Sequence, residues 1–387
     1  MMKDLKKAAL QYHRGGKIAI SSKVKMETRE ELSLAYTPGV AFPCLEIASN
    51  KEDAYLYTSK ANTIAVITDG TAVLGLGDIG PQAAMPVMEG KCLLFKKFAG
   101  IDAIPICLNT KDPDEIVKTV QMIAPSFGGI NLEDISFPRC VDIEKRLDAS
   151  LDIPIFHDDQ HGTAIVTCAA LINACKLVGK PLPSLRVVMS GLGAAGSSIA
   201  KMMKGMGVRT INAFNRSGIV SRLKQNRTAV QDLLDEGAID SFDDLSDDTL
   251  AGLIKNSDVF VGVSVADVLT PAMVNSMNEQ AIVFALANPN PEINIEEIKK
   301  TKAAVYATGR SDYPNQINNV LAFPGIFKGV MATPHRKITQ KICVAAAYAI
   351  ASLISKDELS PEYIIPSVFN NKVVDAVCEA VINTRDE

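Results

Sequence analysis

The chain has 387 residues, 47% hydrophobic against 22% charged, and a formal net charge of -4. It is longer than one ordinary domain, and its balance excludes fibrous and disordered classes. A weakly acidic chain also lacks the cationic footprint of a nucleic-acid binder, so no nucleic acid is expected as partner.

No membrane span is expected either: the longest run free of Asp, Glu, Lys and Arg covers 160–175, short of the roughly 20 apolar residues a spanning helix needs. The start, Met1-Met2-Lys3-Asp4-Leu5-Lys6-Lys7, has no apolar core of a secretory signal. Eight scattered cysteines without a CxxC pair read as small buried apolar residues of a reducing setting, and a cytoplasmic protein is expected.

In chain order, 63–68 and 103–108 have the length and β-branching of strands, with a helical region over 82–99 between them. A short strand at 153–156 leads into His157-Asp158-Asp159-Gln160. From Gly162 the chain turns apolar around most of a helical circumference, which predicts a buried helix. After Lys180-Pro181-Leu182-Pro183 comes a strand at 185–189, a helix at 195–206 and a strand at 209–214. Apolar runs at 259–263 and 282–286 continue the alternation of a parallel, helix-covered sheet. The chain looks helical again from about Thr339. No repeat or long linker is present, and the boundary near 160–180 rests on a change of composition.

The strand at 185–189 runs directly into Ser190-Gly191-Leu192-Gly193-Ala194-Ala195-Gly196. Gly191 permits a tight turn and Gly193 lets backbone approach a pyrophosphate. Gly196 lets the helix pack close on the strand, and the helix N-terminus at Ala194 and Ala195 favours an anion. With a strand before, a helix after and another strand at the right distance, the motif predicts a dinucleotide site. Gly75-Leu76-Gly77-Asp78-Ile79-Gly80 has the same spacing. It carries Asp78 where phosphate charge would sit and shows no comparable strand–helix–strand frame, so it is read as a glycine turn packing two backbones. Past 209–214 the chain reads Asn215-Arg216-Ser217, with no carboxylate to hold a free ribose 2′-hydroxyl. A 2′-phosphate is tolerated by Asn215 and attracted by Arg216 and Ser217, a slight lean toward NADP over NAD.

Asp69, Glu133-Asp134 and Asp158-Asp159 stand near apparent strand ends or turns. Singly, each reads as a solvated turn or cap; together they are the hard oxygen donors that suit Mg²⁺ or Mn²⁺. Lys91 lies at the edge of an apolar segment. From spacing alone it snorkels to the surface; buried, or beside a metal, its lowered pKa lets it act as a base. Tyr36 precedes the Thr37-Pro38-Gly39 turn, where a phenol can project into a cleft or merely pack.

Together these residues resemble the small bacterial-type malic enzymes. The resemblance is carried by Ser33 to Val40, Asp69-Gly70 through Asp78, Glu89-Gly90-Lys91, Asn131 to Asp134, Phe156 to Thr163, Ala287-Asn288-Pro289 and Asn318-Asn319. It implies an α/β fold of two domains: an N-terminal α/β catalytic domain over 1–160, and a Rossmann-like doubly wound parallel sheet with C-terminal helices over 161–387. It implies oxidative decarboxylation of (S)-malate to pyruvate and CO₂ with reduction of NAD or NADP, a divalent metal, and a homodimer. By the same resemblance Tyr36 is the general acid and Lys91 the base toward the malate hydroxyl. Asp158 supports Lys91, Glu133, Asp134 and Asp159 ligate the metal, and Asn288 and Asn319 hold substrate oxygens. One departure stands out: the larger eukaryotic-type enzymes place an arginine two residues after the Asp-Gly turn to grip a substrate carboxylate, and here Thr71-Ala72 follows Gly70. The rival readings are a metal-dependent oxaloacetate decarboxylase with little redox turnover, a nucleotide-sensing protein without turnover, and an amino-acid dehydrogenase. The sensor has no use for Lys91, Tyr36 and the acidic set, and the dehydrogenase no use for three metal carboxylates.

Overall fold

The structure, a computed structural model, describes residues 2–73, 75–333 and 337–384. An N-terminal arm carries α1 (Met2–Tyr12), α2 (Arg29–Ala35), α3 (Ala41–Ser49) and α4 (Ala54–Tyr57). A parallel sheet of β1 (Thr63–Thr68), β2 (Asp102–Cys107), β3 (Gly129–Leu132) and β4 (Ile155–His157) follows, in the order β2-β1-β3-β4. All six residues of β1 are buried, because helices cover both faces of this sheet and leave no polar side for its residues to alternate with. Ala65 and Ile67 pack with α6 (Pro113–Ile123) and α7 (Arg139–Ser150), while Ile64 and Val66 pack with α5 (Pro81–Leu94).

From β4 the chain enters a π-helical turn, Asp158–Gly162, continuous with α8 (Thr163–Val178). This 21-residue stretch is apolar and long enough to cross a membrane, longer than the uncharged run alone suggests, because the turn adds length. Every residue from 164 to 175 is buried, which makes it a core helix.

The second sheet is ordered β10-β9-β8-β5-β6-β7. Its strands are β5 (Arg186–Ser190), β6 (Thr210–Asn215), β7 (Gly218–Ile219), β8 (Val259–Gly262), β9 (Ala281–Ala285) and β10 (Ala303–Thr308). All neighbours pair parallel except the edge strand β7. Helix α9 (Ala194–Gly205) connects β5 to β6, with α10 (Thr228–Asp235), α11 (Leu250–Ile254), α12 (Pro271–Ser276) and α13 (Ile295–Ile298) between later strands. Strand order reverses between β5 and β8, the point at which open α/β sheets bind ligands. Helices α14 (Phe323–Met331), α15 (Gln340–Ser352) and α16 (Val373–Asn383) close the chain, and their apolar faces join one core cluster that also holds Ile64, Phe95 and Phe156 of the first sheet's layer.

Five of the eight cysteines are buried, as small apolar residues should be; Cys107 and Cys378 are half-buried and Cys44, on the arm, is exposed.

Candidate active site

The first sheet gathers the site at the C-terminal ends of its strands. Glu133-Asp134 directly follows β3, Asp158-Asp159 follows β4, and the two strands are neighbours, so residues far apart in sequence emerge side by side. Asp134 takes a left-handed backbone conformation, φ 54°, uncommon for a residue with a side chain, and its N–H donates to Asp159 Oδ2 at 2.8 Å. Carboxylate oxygens of Glu133, Asp134 and Asp159 lie within 4.8 Å of one another. Burial first, then the like charges of Asp159, Asp158 and Asp134, push the Glu133 carboxyl well above its ordinary range against the opposing charge of Lys91. Oxygen donors so crowded fit a hard divalent cation, which would relieve that repulsion.

Lys91 does not snorkel. It is buried on the last turn of α5, its Nζ 2.5 Å from Asp158 Oδ2 and 2.9 Å from Glu133 Oε1, over the Phe323 ring at 4.3 Å. The lowered pKa expected of it is reversed: burial does push the ammonium's pKa down, but the charges of Asp158 and Glu133 outweigh that and leave it raised. Lys91 is therefore charged in this state. Asn319 joins the cluster by donating from Nδ2 to Asp158 Oδ2 at 2.9 Å, while its Oδ1 accepts from the Thr163 hydroxyl at 3.2 Å.

The π-turn brings Asp158 back over Gly162, whose Cα faces the Asp158 carboxylate so closely that a Cβ there would overlap Oδ1. π-turns of this kind recur at functional sites. The same turn packs against α9, whose N-terminus the second glycine motif opens. There a Cβ on Gly191 would meet Val263 O at 2.8 Å, and one on Gly196 would overlap Gly191 O, so both are close approaches of backbone to backbone. A Cβ on Gly193 would meet nothing within 4 Å, and that open face lies beside Ala194 and Ala195 at the start of α9. Asn215 ends β6 with its Oδ1 accepting from Ser217 N–H at 2.8 Å. Arg216 and Ser217 are exposed.

Three expected residues fall elsewhere. Tyr36, at the corner between α2 and α3, is 66% exposed, and among the described residues its hydroxyl makes no hydrogen bond, so in its own chain it stands outside the Lys91 cluster. Asn288 is exposed on the loop after β9, its carbonyl against Gly75 and its amide near Gly309. Asp69 is buried but belongs to a different network: its Oδ2 pairs with Arg139 at 2.8 Å and its Oδ1 accepts from Thr71. The first glycine motif does have a strand–helix–strand frame, since it lies between β1 and α5 and β1 pairs parallel with β2. Its loop nevertheless folds back on itself, Val73 pairing with Gly77, and seats Gly75 against Asn288, while Asp78 pairs with Lys111.

Two residues were not foreseen. Glu144 on α7 accepts from His157 N at 2.8 Å, from Gln160 Nε2 at 2.9 Å and pairs with His161 Nε2 at 3.0 Å, which fixes the turn carrying Asp158 and Asp159. Burial alone would raise the Glu144 carboxyl and lower the His161 imidazole, but their mutual charge overrides it in both. Its signal in the sequence is an acid on the same helical face as Cys140, Ile143 and Leu147. Arg139, which ties Asp69 and Thr71 to the loop after β3, carries no such signal.

Comparison with known proteins adds to this geometry. The family model for the malic enzyme N-terminal domain matches residues 15–148, and that for the malic enzyme NAD-binding domain matches 160–384. The chain is 54% identical over 370 residues to an NAD-dependent malic enzyme of Geobacillus stearothermophilus, covering 96% of this chain and 77% of that one. It is 52% identical over 386 residues to a bifunctional malic/malolactic enzyme of Bacillus subtilis, covering 99% and 94%. The crystal structure of an NAD-dependent malic enzyme from Thermotoga maritima superposes with a TM-score of 0.92 at 45% identity, over 97% of this chain and 99% of that one. With both halves matched and strong identity over nearly its whole length, the chain belongs to the malic enzyme family.

Proposed function

We propose that this protein oxidatively decarboxylates (S)-malate to pyruvate and CO₂ while reducing NAD or NADP, with Mg²⁺ or Mn²⁺. The observation that carries the reading is buried Lys91 bridging Glu133 and Asp158, beside three clustered carboxylates and against the helix that opens the glycine cradle. Residues 1–160 supply the proton-handling and metal-binding groups, and residues 161–387 the dinucleotide site and Asn319. Glu133, Asp134 and Asp159 would hold the divalent cation, which when bound supplies Lewis-acid stabilisation of the negative charge developing on the C2 oxygen. Lys91 accepts the malate hydroxyl proton. Because it is charged at rest, it first hands a proton on, and the acceptor in place is Asp158 at 2.5 Å, so the two act as one unit. Asn319 keeps Asp158 oriented and, with Asn288, is read as a contact for substrate oxygens. Tyr36 is the acid that protonates the enol carbon after CO₂ leaves.

The backbone around Gly191, Gly193, Ala194, Ala195 and Gly196 receives the pyrophosphate. We favour NADP at this site, because Arg216 is exposed next to Asn215 and Ser217 and has no ion pair among the described residues. Arg216→Ala is expected to raise KM for NADP at least about fivefold more than KM for NAD, on the scale of a lost charge-assisted hydrogen bond; equal losses would overturn the preference. We read the protein as a cytoplasmic homodimer acting on a small-molecule substrate. Stoichiometric NAD(P)H and pyruvate from malate and Mn²⁺ is the expected result. Decarboxylation of oxaloacetate without any reduced nucleotide from malate would instead establish the rival decarboxylase.

A further inference from the structure

We infer that Arg310 grips the C1 carboxylate of the substrate, as the cation that the Lys91 cluster cannot itself supply. The inference rests on the malate chemistry proposed above and names a group that decides which acids the site accepts.

The need for such a cation follows from charge. Malate arrives as a dianion, and the cluster it meets holds the carboxylates of Glu133, Asp134, Asp158 and Asp159 against the Lys91 ammonium. A divalent cation offsets two of the four and Lys91 a third, so no positive charge is left over to draw in a dianion. Asn288 and Asn319 are neutral amides. The loop after β1 adds no charge where it touches the cluster: Ala72 N–H donates to Asp134 O at 3.0 Å, and its side chain is a methyl. Arg139 lies next to that loop but is already committed to it. Its Nη2 pairs with Asp69 and donates to Thr71 and Ser136, and its Nη1 donates to Lys111 O.

Arg310 is placed differently. It stands two residues past the end of β10, at the C-terminal edge of the second sheet. Asn288 lies between two loops there: a Cβ on Gly309 would meet its Nδ2 at 3.2 Å, and one on Gly75 its carbonyl oxygen at 2.5 Å. Gly75 belongs to the same loop as Ala72, so the segment carrying Arg310 adjoins the one that borders Asp134. The far end of the Arg310 loop touches the cluster directly. Ile317 N–H donates to Thr308 O at 2.9 Å, which draws the two ends of the loop together, and Asn319, two residues on, donates to Asp158 Oδ2 at 2.9 Å.

The guanidinium has one edge taken and one edge open. Asp312 holds the first, Oδ1 accepting from Nε at 2.8 Å and Oδ2 from Nη2 at 2.7 Å, while the Tyr313 ring lies 5.1 Å from Cζ. Among the described residues, the edge formed by Nη1 and Nη2 keeps only a contact of 3.4 Å to Pro289 O, longer than an ordinary hydrogen bond. A second carboxylate can dock there in the bidentate geometry that guanidinium favours. The side chain is 33% exposed, open to a ligand on that side. Its loop is fixed at the base by buried Asn315, which donates to Tyr306 O at 2.9 Å and Pro361 O at 2.7 Å and accepts from Ile364 N–H at 2.9 Å.

The reaction selects which end of malate Arg310 holds. The C4 carboxylate departs as neutral CO₂, so a cation on it would stabilise the starting state more than the transition state and slow the cleavage. The C1 carboxylate keeps its charge from malate to pyruvate, and an ion pair there is equally strong throughout. Arg310 is therefore a binding group, felt in KM and not in kcat.

Steady-state kinetics of Arg310→Gln test this. KM for malate and the inhibition constant of pyruvate, which retains only the C1 carboxylate, are expected to rise together by about tenfold or more, the scale of one charge-assisted pair. The kcat is expected to change by less than about twofold, and KM for the dinucleotide to stay native. Arg310→Lys, which keeps the charge and loses the fork, is expected to fall between the two. An unchanged malate KM in the glutamine variant would overturn the inference. A loss of kcat at native KM would do so too, since that is the signature of a loop that merely braces Asn319. A dinucleotide KM that rose in step would place Arg310 on a phosphate and refute the assignment. A rise for malate without one for pyruvate would move the grip to C4 and refute the choice of C1. A native protein that forms no NAD(P)H from malate would overturn the proposed function itself, and this inference with it.

Discussion

At the scale of single residues, much of the site was legible as a set but not as an arrangement. Glu133, Asp134, Asp158, Asp159, Lys91 and Asn319 all come together. The sequence marks each acid as a strand-end residue, but only pairing between β3 and β4 makes them neighbours, and that pairing is invisible in a linear pattern. The charge state of Lys91 was misjudged for the same reason, since the two carboxylates that hold it charged lie 42 and 67 positions away in the chain. Gly162 offers a sharp test of the arrangement. In Gly162→Ala the new Cβ would overlap Asp158 Oδ1 and press on Asn319 Cβ at 3.3 Å, so the carboxylate must turn away from Lys91. Stability is expected to fall by about 1–3 kcal/mol, as for other overpacked sites, and kcat by at least about tenfold. Dinucleotide affinity should stay unchanged, because the Gly191–Gly196 turn is untouched. Isothermal titration beside steady-state kinetics separates these outcomes, and a native kcat would show that the Lys91–Asp158 contact is dispensable.

At the scale of elements, strands rich in β-branched residues were read within a residue or two of where β1, β2, β5, β6, β8 and β9 stand. Strand β3 was not, because Gly128-Gly129 reads as a loop and its four residues include the buried Asn131. Strand β10 escaped through its three alanines and β7 through its length of two. What anchors the central strands is equally hidden in sequence. Asp258, just before β8, accepts from Arg186 N–H at 2.9 Å, from Lys180 Nζ at 2.7 Å and from Asn278 Nδ2 at 3.0 Å, tying the starts of β5 and β8 to the loop before β9. Burial works to raise its carboxyl, but those donors outweigh it and hold the pKa below the ordinary aspartate value. A depressed pKa means the carboxylate's contribution is complete above the unfolded value and is lost as pH falls through the folded one. Asp258→Asn is expected to cost about 1–3 kcal/mol near neutrality, with the native and variant curves converging below about pH 4. Urea unfolding between pH 7 and pH 3 checks this, and a constant gap across that range would show that the charge at Asp258 does not matter.

At the scale of the whole molecule, the two sheets do not behave as separate bodies, although the sequence divides near 160. Helix α14 drives Phe323 and Phe327 into the first sheet's layer, where their rings stand 4.6 and 5.3 Å from Phe95, and Phe327 lies 6.0 Å from Phe156. Phe327 is so close to β3 that a Cβ on Gly129 would meet its Cε1 at 2.9 Å. Phe323 also lies under the Lys91 ammonium, so the C-terminal helices brace the Lys91 cluster as well as the core. A cluster continuous from Ile64 to Val381 should melt as one unit. Calorimetry at a fixed protein concentration, needed because association shifts stability, is expected to show a single transition. Phe327→Ala should lower it as a whole by about 3–5 kcal/mol, the usual loss for a buried phenylalanine. The variant should also weaken malate turnover more than dinucleotide binding, because Lys91 and Glu133 lie on the side of the seam from which the ring is removed. Two resolved transitions, of which the substitution shifted only one, would mean that the aromatic seam joins the halves without making them fold together.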